Sequence, residues 1–289
     1  MDFKNFSGPK ISLPEIGFGT WGYRGGVEPL RRAIDLGACL VDTAESYGTE
    51  ELVAEATRGV RDRVLIATKA RPSHFRRADL LKSADQSLKR LRTDRIDLYQ
   101  LHWPNYTVPI EETMAAMEEL VDRGKVRFIG VSNFSVSDLK QAQAALSKYK
   151  IVSDQVRYNL IDRTIESGLL RYCREHNIAV IAHSPLAHGL SHIRERDPDQ
   201  TLQRVSRLTG RSEAQVALNW CISKDAVIAI PTASSIDHVE GDCGASGWRL
   251  SEDHIGLLAR RIAFRRRGYA HAALRRIARH FLQRIGRNL

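Results

Sequence analysis

The sequence predicts an α/β fold, a single-domain (β/α)8 TIM barrel, and three observations carry that reading. Between residues 16 and 230, short β-branched apolar runs alternate with longer segments of helical period, the pattern of βα units around a parallel sheet. Eight such runs can be counted, each followed by a helical segment, and about 250 residues is the size of such a barrel. No Pro/Gly-rich linker, low-complexity tract or internal repeat sets off the second domain that a doubly wound sheet of fewer strands would need.

Taken in order, strands are expected over 16–19, 39–42, 64–69, 96–102, 126–131, 152–156, 179–182 and 226–230. Most are rich in Val, Ile, Leu and Ala and bounded by turn-forming or charged residues. Helices are expected over 28–36, 80–91, 111–123 and 213–222, where apolar residues recur three and four apart. Residues 8–15 alternate apolar and polar around turn residues and suggest a small flap ahead of the first strand. The barrel assignment spans residues 1–262, with 263–289 as a separate tail.

One motif points elsewhere. Gly17-Phe18-Gly19-Thr20-Trp21-Gly22 reads G-x-G-x-x-G, and Asp42 lies twenty residues beyond its last glycine, where a dinucleotide fold places its ribose-binding acid. That fingerprint needs the third glycine to sit in a helix whose amino end faces the pyrophosphate. Here Tyr23, Arg24, Gly25 and Gly26 delay any helix until Val27, so the loop is too long and too bulky for that use.

Composition sets outer bounds. With 43% apolar residues the chain can bury a large core, and no run of eighteen apolar residues or leader-like start points to insertion or secretion. A cytoplasmic location is the expectation. Cys39, Cys173, Cys221 and Cys243 form no C-x-x-C pair, which fits thiols used as small core residues in a reducing compartment. The net charge of +10 resides at the carboxyl-terminal end: ten arginines occur from Arg260 onward, and the other 34 basic residues balance the 34 acids. Without base-stacking aromatics or a recognised module, this charge gives no ground for nucleic-acid binding.

In a barrel, chemistry is assembled at the carboxyl ends of strands and in the loops that follow. Those ends supply Asp42, with Tyr47 in its loop, then Lys69, then His102. A lysine cation beside a tyrosine favours the phenolate and is expected to draw its pKa down. A buried lysine needs a counter-charge, and Asp42 one strand over is the natural partner. A nearby histidine can orient a substrate oxygen by a hydrogen bond. The set therefore reads as Tyr47 giving a proton to a carbonyl that accepts hydride.

The motifs Asp42-Thr43-Ala44-Glu45-Ser46-Tyr47-Gly48, Ala67-Thr68-Lys69, Leu98-Tyr99-Gln100-Leu101-His102-Trp103, Gly130-Val131-Ser132-Asn133-Phe134 and Asp154-Gln155-Val156-Arg157-Tyr158-Asn159 resemble, in order, those of the aldo-keto reductases. The likeness runs from about residue 9 to residue 257. It implies NADPH-dependent reduction of an aldehyde or ketone, with NADH as the other possible donor. It also implies that Tyr47 is the general acid, tuned by Asp42 and Lys69, while His102 orients the carbonyl. Ser132, Asn133 and Gln155 would hold the nicotinamide carboxamide. Gly19, Thr20 and Trp21, with Asp42, would line the floor where nicotinamide ribose and substrate meet. Trp21, Tyr47, His102 and Trp103, joined by Tyr106, would form a substrate pocket suited to a flat aromatic or apolar carbonyl compound. Arg71, Arg76 and Arg77 are a counter-hint towards acidic substrates.

The sequence departs from the family pattern in three places. Where relatives carry an aromatic that stacks on the nicotinamide, His183 stands, followed by Ser184, Pro185 and Leu186 in the cofactor loop. In the loop expected to clasp the 2'-phosphate and adenine, Ser234 and Ser235 are present, His238 takes the arginine place and Gly241-Asp242 the Glu-Asn place. The third is the tail, in which Ala270, Leu274, Ile277, Ala278, Phe281, Leu282 and Ile285 share one face of a helix expected over 269–285. That helix packs on the barrel in the preferred reading, with docking on a membrane surface or an acidic partner as the alternative. The spacing of His188 and His192 offers no acid ligand on a shared face, so no metal is expected. A monomer acting on a small molecule is the preferred reading. The rival is a nucleotide-binding regulatory or interaction protein of this fold with little turnover, favoured by His183 and the eroded adenine loop.

Overall fold

The structure is a computed structural model that describes residues 1–6 and 11–265. Two strands, β1 (Phe3–Phe6) and β2 (Ile11–Pro14), pair antiparallel ahead of the barrel. The flap therefore begins earlier than the pattern of residues 8–15 suggested.

Eight parallel strands follow: β3 (Phe18–Gly19), β4 (Leu40–Asp42), β5 (Leu65–Ala70), β6 (Ile96–Leu101), β7 (Val126–Ser132), β8 (Ile151–Arg157), β9 (Ala179–His183) and β10 (Val227–Ile230). Each pairs with the next in chain order. The sheet closes on itself where Gly17 N donates to Ala229 O at 2.9 Å and Gly19 N to Pro231 O at 2.8 Å. Closure leaves no edge strand exposed. It needs a glycine at 17, because a Cβ there would stand 2.9 Å from the carbonyl oxygen of Leu40.

The interior explains the sequence pattern. Leu40, Leu98, Phe128, Val152 and Ile228 pack inside the barrel against Phe6, Ile11 and Leu13 of the hairpin, which plugs the end where the strands start. Lys4 in that hairpin donates to the carbonyl oxygens of Ile222, Lys224 and Val227, fastening the plug. A second, larger apolar layer lies between strands and helices.

The described residues form eleven α-helices rather than eight. The four expected helices are α1 (Val27–Asp35), α3 (Arg77–Leu91), α4 (Ile110–Asp122) and α9 (Glu213–Ile222), each within three residues of its expected ends, and α2 (Glu50–Ala56), α5 (Val136–Ala144) and α6 (Leu169–Glu175) follow β4, β7 and β8. The surplus lies after β9, where α7 (Leu190–Arg194) and α8 (Thr201–Thr209) precede α9, and at the end, where α11 (Glu252–Arg261) follows α10 (Ile236–Cys243). The first strand is also shorter than 16–19, with Ile16 making only an isolated bridge to Ala229. The helix expected over 269–285 lies outside the described residues. No helix among the described residues is long and apolar enough to cross a membrane.

Candidate active site

Parallel register brings the polar strand ends together. Asp42 pairs with Ala67, and Lys69, two residues further along β5, pairs with Gln100 of β6. Side chains two apart share a face, so Lys69 and Gln100 both reach into the barrel. Lys69 is fully buried; its Nζ donates to Asp42 Oδ2 at 2.6 Å and to Thr43 O at 2.9 Å, and lies 3.5 Å from the Tyr47 hydroxyl. Asp42 Oδ1 accepts from Gln155 Nε2 at 2.7 Å and from Gln100 Nε2 at 3.2 Å. A buried carboxylate is tolerated only with such a donor set. Gly130 makes room for it: a Cβ there would come within 3.0 Å of Gln100 Cγ and 2.6 Å of Ser153 Oγ.

The loop that carries Tyr47 is pinned on both sides. The Glu45 side chain, only 3% exposed, accepts from Arg71 N, His74 Nδ1 and Ser83 Oγ. On the other flank the hydroxyl of Thr49 bridges those of Thr43 and Thr20, each at 2.8 Å. Held this way, the Tyr47 hydroxyl lies 3.3 Å from His102 Nε2, with the rings edge to face.

Burial and charge set the protonation states. Burial raises the Tyr47 phenol above its ordinary value, and Lys69 only partly offsets this, so the lowering expected from the sequence does not result. A tyrosine that keeps its proton at neutral pH is a proton donor, and the lysine lowers the cost of the anion left behind. For Lys69, burial pulls the ammonium down, but Asp42 and then Tyr47 outweigh it and the group stands above its usual value. His102 is driven down to about 3 by burial, then by Lys69 and Arg71, so its imidazole is neutral.

Tyr47, His102 and Trp103 open on a cavity of about 1070 Å³ at the carboxyl end of the barrel. Asp42, Gly19 and Trp21 line it on one side, and Ser132, Asn133 and Gln155 at the ends of β7 and β8 on another. His183, Ser184, Pro185 and Leu186 continue the wall, which ends at Ile230, Pro231 and Thr232 after β10. Burial, then Arg157, takes His183 down to about 3, so it too presents a neutral ring. Lys69 sits behind Tyr47 and is not part of the wall. Nor is Thr20, which is fully buried with its hydroxyl on Asp42 O at 3.0 Å. Ser234, Ser235 and His238 lie beyond the wall, exposed at the amino end of α10, where Ser235 Oγ caps His238 N. Tyr106 does not reach the pocket; its hydroxyl donates to Asp138.

The profile of the Aldo/keto reductase family matches residues 15–261. The chain belongs to this family. It is 37% identical over 264 residues to the methylglyoxal reductase YeaE of Escherichia coli, covering 88% of this chain and 92% of that protein. Among solved structures, the thermostable aldo-keto reductase Tm1743, in complex with the inhibitor epalrestat, matches with a TM-score of 0.85 at 39% identity, covering 90% of this chain and 99% of that one. The aldo/keto reductase of Klebsiella pneumoniae, in complex with NADP and acetate, gives 0.81 at 37% identity, covering 90% and 95%.

Sequence reasoning overlooked several of the residues that build this candidate site of the aldo-keto reductase. Gln100 holds Asp42, and its signal was a polar residue two places from Leu98 and His102, on the inward face of a barrel strand. Arg157 stands on the inward face of β8, two places beyond Gln155, and lines the cavity. Glu45 has no evident role in the sequence, and only the fold shows it anchoring the loop after β5. The three arginines of that loop are committed: Arg71 pairs with Glu45, Arg76 with Glu112 and Arg77 with Glu119.

Proposed function

We propose that this chain reduces an aldehyde or ketone to the alcohol with NADPH as hydride donor and Tyr47 as proton donor. The observation that carries the proposal is the chain Asp42–Lys69–Tyr47–His102 opening on the same cavity as Asn133 and Gln155. NADPH, when bound, supplies the hydride to the carbonyl carbon. Tyr47 gives its proton to the carbonyl oxygen, and the resulting phenolate faces the Lys69 ammonium. In its Nε2–H tautomer the neutral His102 donates to that same oxygen and fixes its place. Asp42 keeps the lysine charged and aimed.

The wall of the cavity fits the cofactor. A Cβ at Gly19 would stand 3.1 Å from Ile230 O and 3.3 Å from Thr232 Oγ1, so glycine lets the ends of β3 and β10 approach closely at the cavity wall. Ser132, Asn133 and Gln155 supply the polar atoms for a carboxamide, and His183 supplies a neutral aromatic face. Ser234, Ser235 and the amino end of α10, with His238, supply donors for the 2'-phosphate, which favours NADP(H) over NAD(H). The Klebsiella relative binds NADP, in agreement.

The test is NADPH oxidation with a panel of aldehydes. Tyr47→Phe should lower kcat by about 10²–10⁴-fold. Wild-type turnover no faster than that of the variant would sink the reading. A second reading, a nucleotide-binding protein with little turnover, is favoured by the adenine end, where Gly241 lacks a side chain and the Asp242 side chain is buried. NADP+ quenching of tryptophan fluorescence without turnover would select it.

A further inference from the structure

We infer that Arg157 is a specificity residue that selects carbonyl substrates bearing a carboxylate, a refinement that rests on the reductase reading. Of the residues lining the large cavity, Asp42 and Arg157 alone carry full charge, histidines aside, and Asp42 is neutralised by Lys69. Among the described residues the cavity therefore holds one uncompensated cation. Arg157 is half-buried, and among the described residues no carboxylate or hydrogen-bond acceptor meets its guanidinium. Asp162 and Glu195 line a smaller adjoining cavity of about 240 Å³ that Arg157 also borders, yet neither forms an ion pair with it. A half-buried guanidinium without an acid is costly, and its planar fork matches a carboxylate in two parallel hydrogen bonds.

Position favours the substrate over the cofactor's phosphates as its partner. Arg157 lies on the same face of β8 as Gln155, about 7 Å nearer the mouth at the usual rise per residue. Strand order runs β8, β9, β10, so a dinucleotide with its carboxamide at Gln155 leaves β8 for the Thr232 and Ser235 end. Its diphosphate is thereby carried away from Arg157. The arginines of the β5 loop are paired outside the cavity, so an acidic substrate has this one anchor.

The experiment compares 4-formylbenzoate with 4-formylbenzamide, equal in size and different by one charge, in wild type, Arg157→Gln and Arg157→Lys, with a thermal melt of each. Wild type should favour the acid in kcat/KM by about tenfold or more, chiefly through KM, and the preference should shrink with added salt. In Arg157→Gln the acid-to-amide ratio should fall about tenfold, and Arg157→Lys should retain part of it. An unchanged ratio in a folded Arg157→Gln overturns the inference. So does a rise in the NADP+ dissociation constant that weakens both substrates equally, which would assign Arg157 to the cofactor. Turnover of neither aldehyde by wild type overturns the reductase reading itself, whereas turnover of both without preference overturns this inference alone.

Discussion

Replacing Lys69 by Met keeps the volume of a fully buried side chain and strands the Asp42 carboxylate. Asp42 Oδ1 keeps the two amide donors of Gln155 and Gln100, while Oδ2 loses its 2.6 Å partner. Breaking a buried pair from one side typically costs about 3–5 kcal/mol. A stranded carboxylate can escape by taking up a proton, which from an ordinary value near 4 costs about 4 kcal/mol at pH 7 and about 1.5 kcal/mol at pH 5. The expected loss is therefore about 3–4 kcal/mol at pH 7. The sign follows from linkage: in the variant the folded state holds the proton more tightly than the unfolded state, so stability is retained at low pH and lost as pH rises. Urea unfolding at pH 5 and pH 7 measures this, and the Asp42→Asn/Lys69→Met double variant, which strands no charge, should recover much of the loss. A penalty below about 1 kcal/mol at pH 7, or one that does not shrink at pH 5, would refute the view that Lys69 chiefly neutralises a buried anion.

Three other outcomes are expected. Burial pushes the Asp242 carboxyl up to about 7, so the protonated form belongs to the folded state and stability is lost as pH rises from about 4 to 7. Asp242→Asn should flatten that part of a melting-temperature profile, recovering up to about 4 kcal/mol at pH 8. Because His102 is held near 3, kcat/KM between pH 5 and 8 should show no inflexion near 6.5; one that vanished in His102→Asn would contradict its neutral state. Gly25→Ala would set a Cβ 2.7 Å from Ser234 O and 2.8 Å from Ser234 Cα, backbone atoms that cannot rotate aside. The two loops should part at a cost of about 1–3 kcal/mol, and NADP+ affinity by fluorescence titration should fall more than the melting temperature.

Local chemistry along the chain determined the barrel and the four groups of its reactive chain. Segments such as α1, whose Leu30, Ala33 and Ile34 fall three and four apart on its buried face, follow the 3.6-residue period that backbone geometry imposes. Asp42, Lys69 and His102 were legible because strand ends are where barrels expose side chains, and Tyr47 because it follows Asp42 in one short loop. Helices α7, α8 and α11 fall outside the repeating βα period, and α7 is only five residues long. The partner of each side chain was a separate matter. Gln155 meets Asp42 across 113 positions of sequence, and Gln100 does so because Gly130 leaves a gap beside it. The rise in the Tyr47 pKa came from burial, which depends on everything packed around the ring and not on its sequence neighbours. In the sequence Arg157 is one residue of the motif around Gln155, with nothing to mark its charge as unpaired. Only closure of the sheet makes it the cavity's unpaired cation, because charge pairing is settled by distances in space that no local pattern contains.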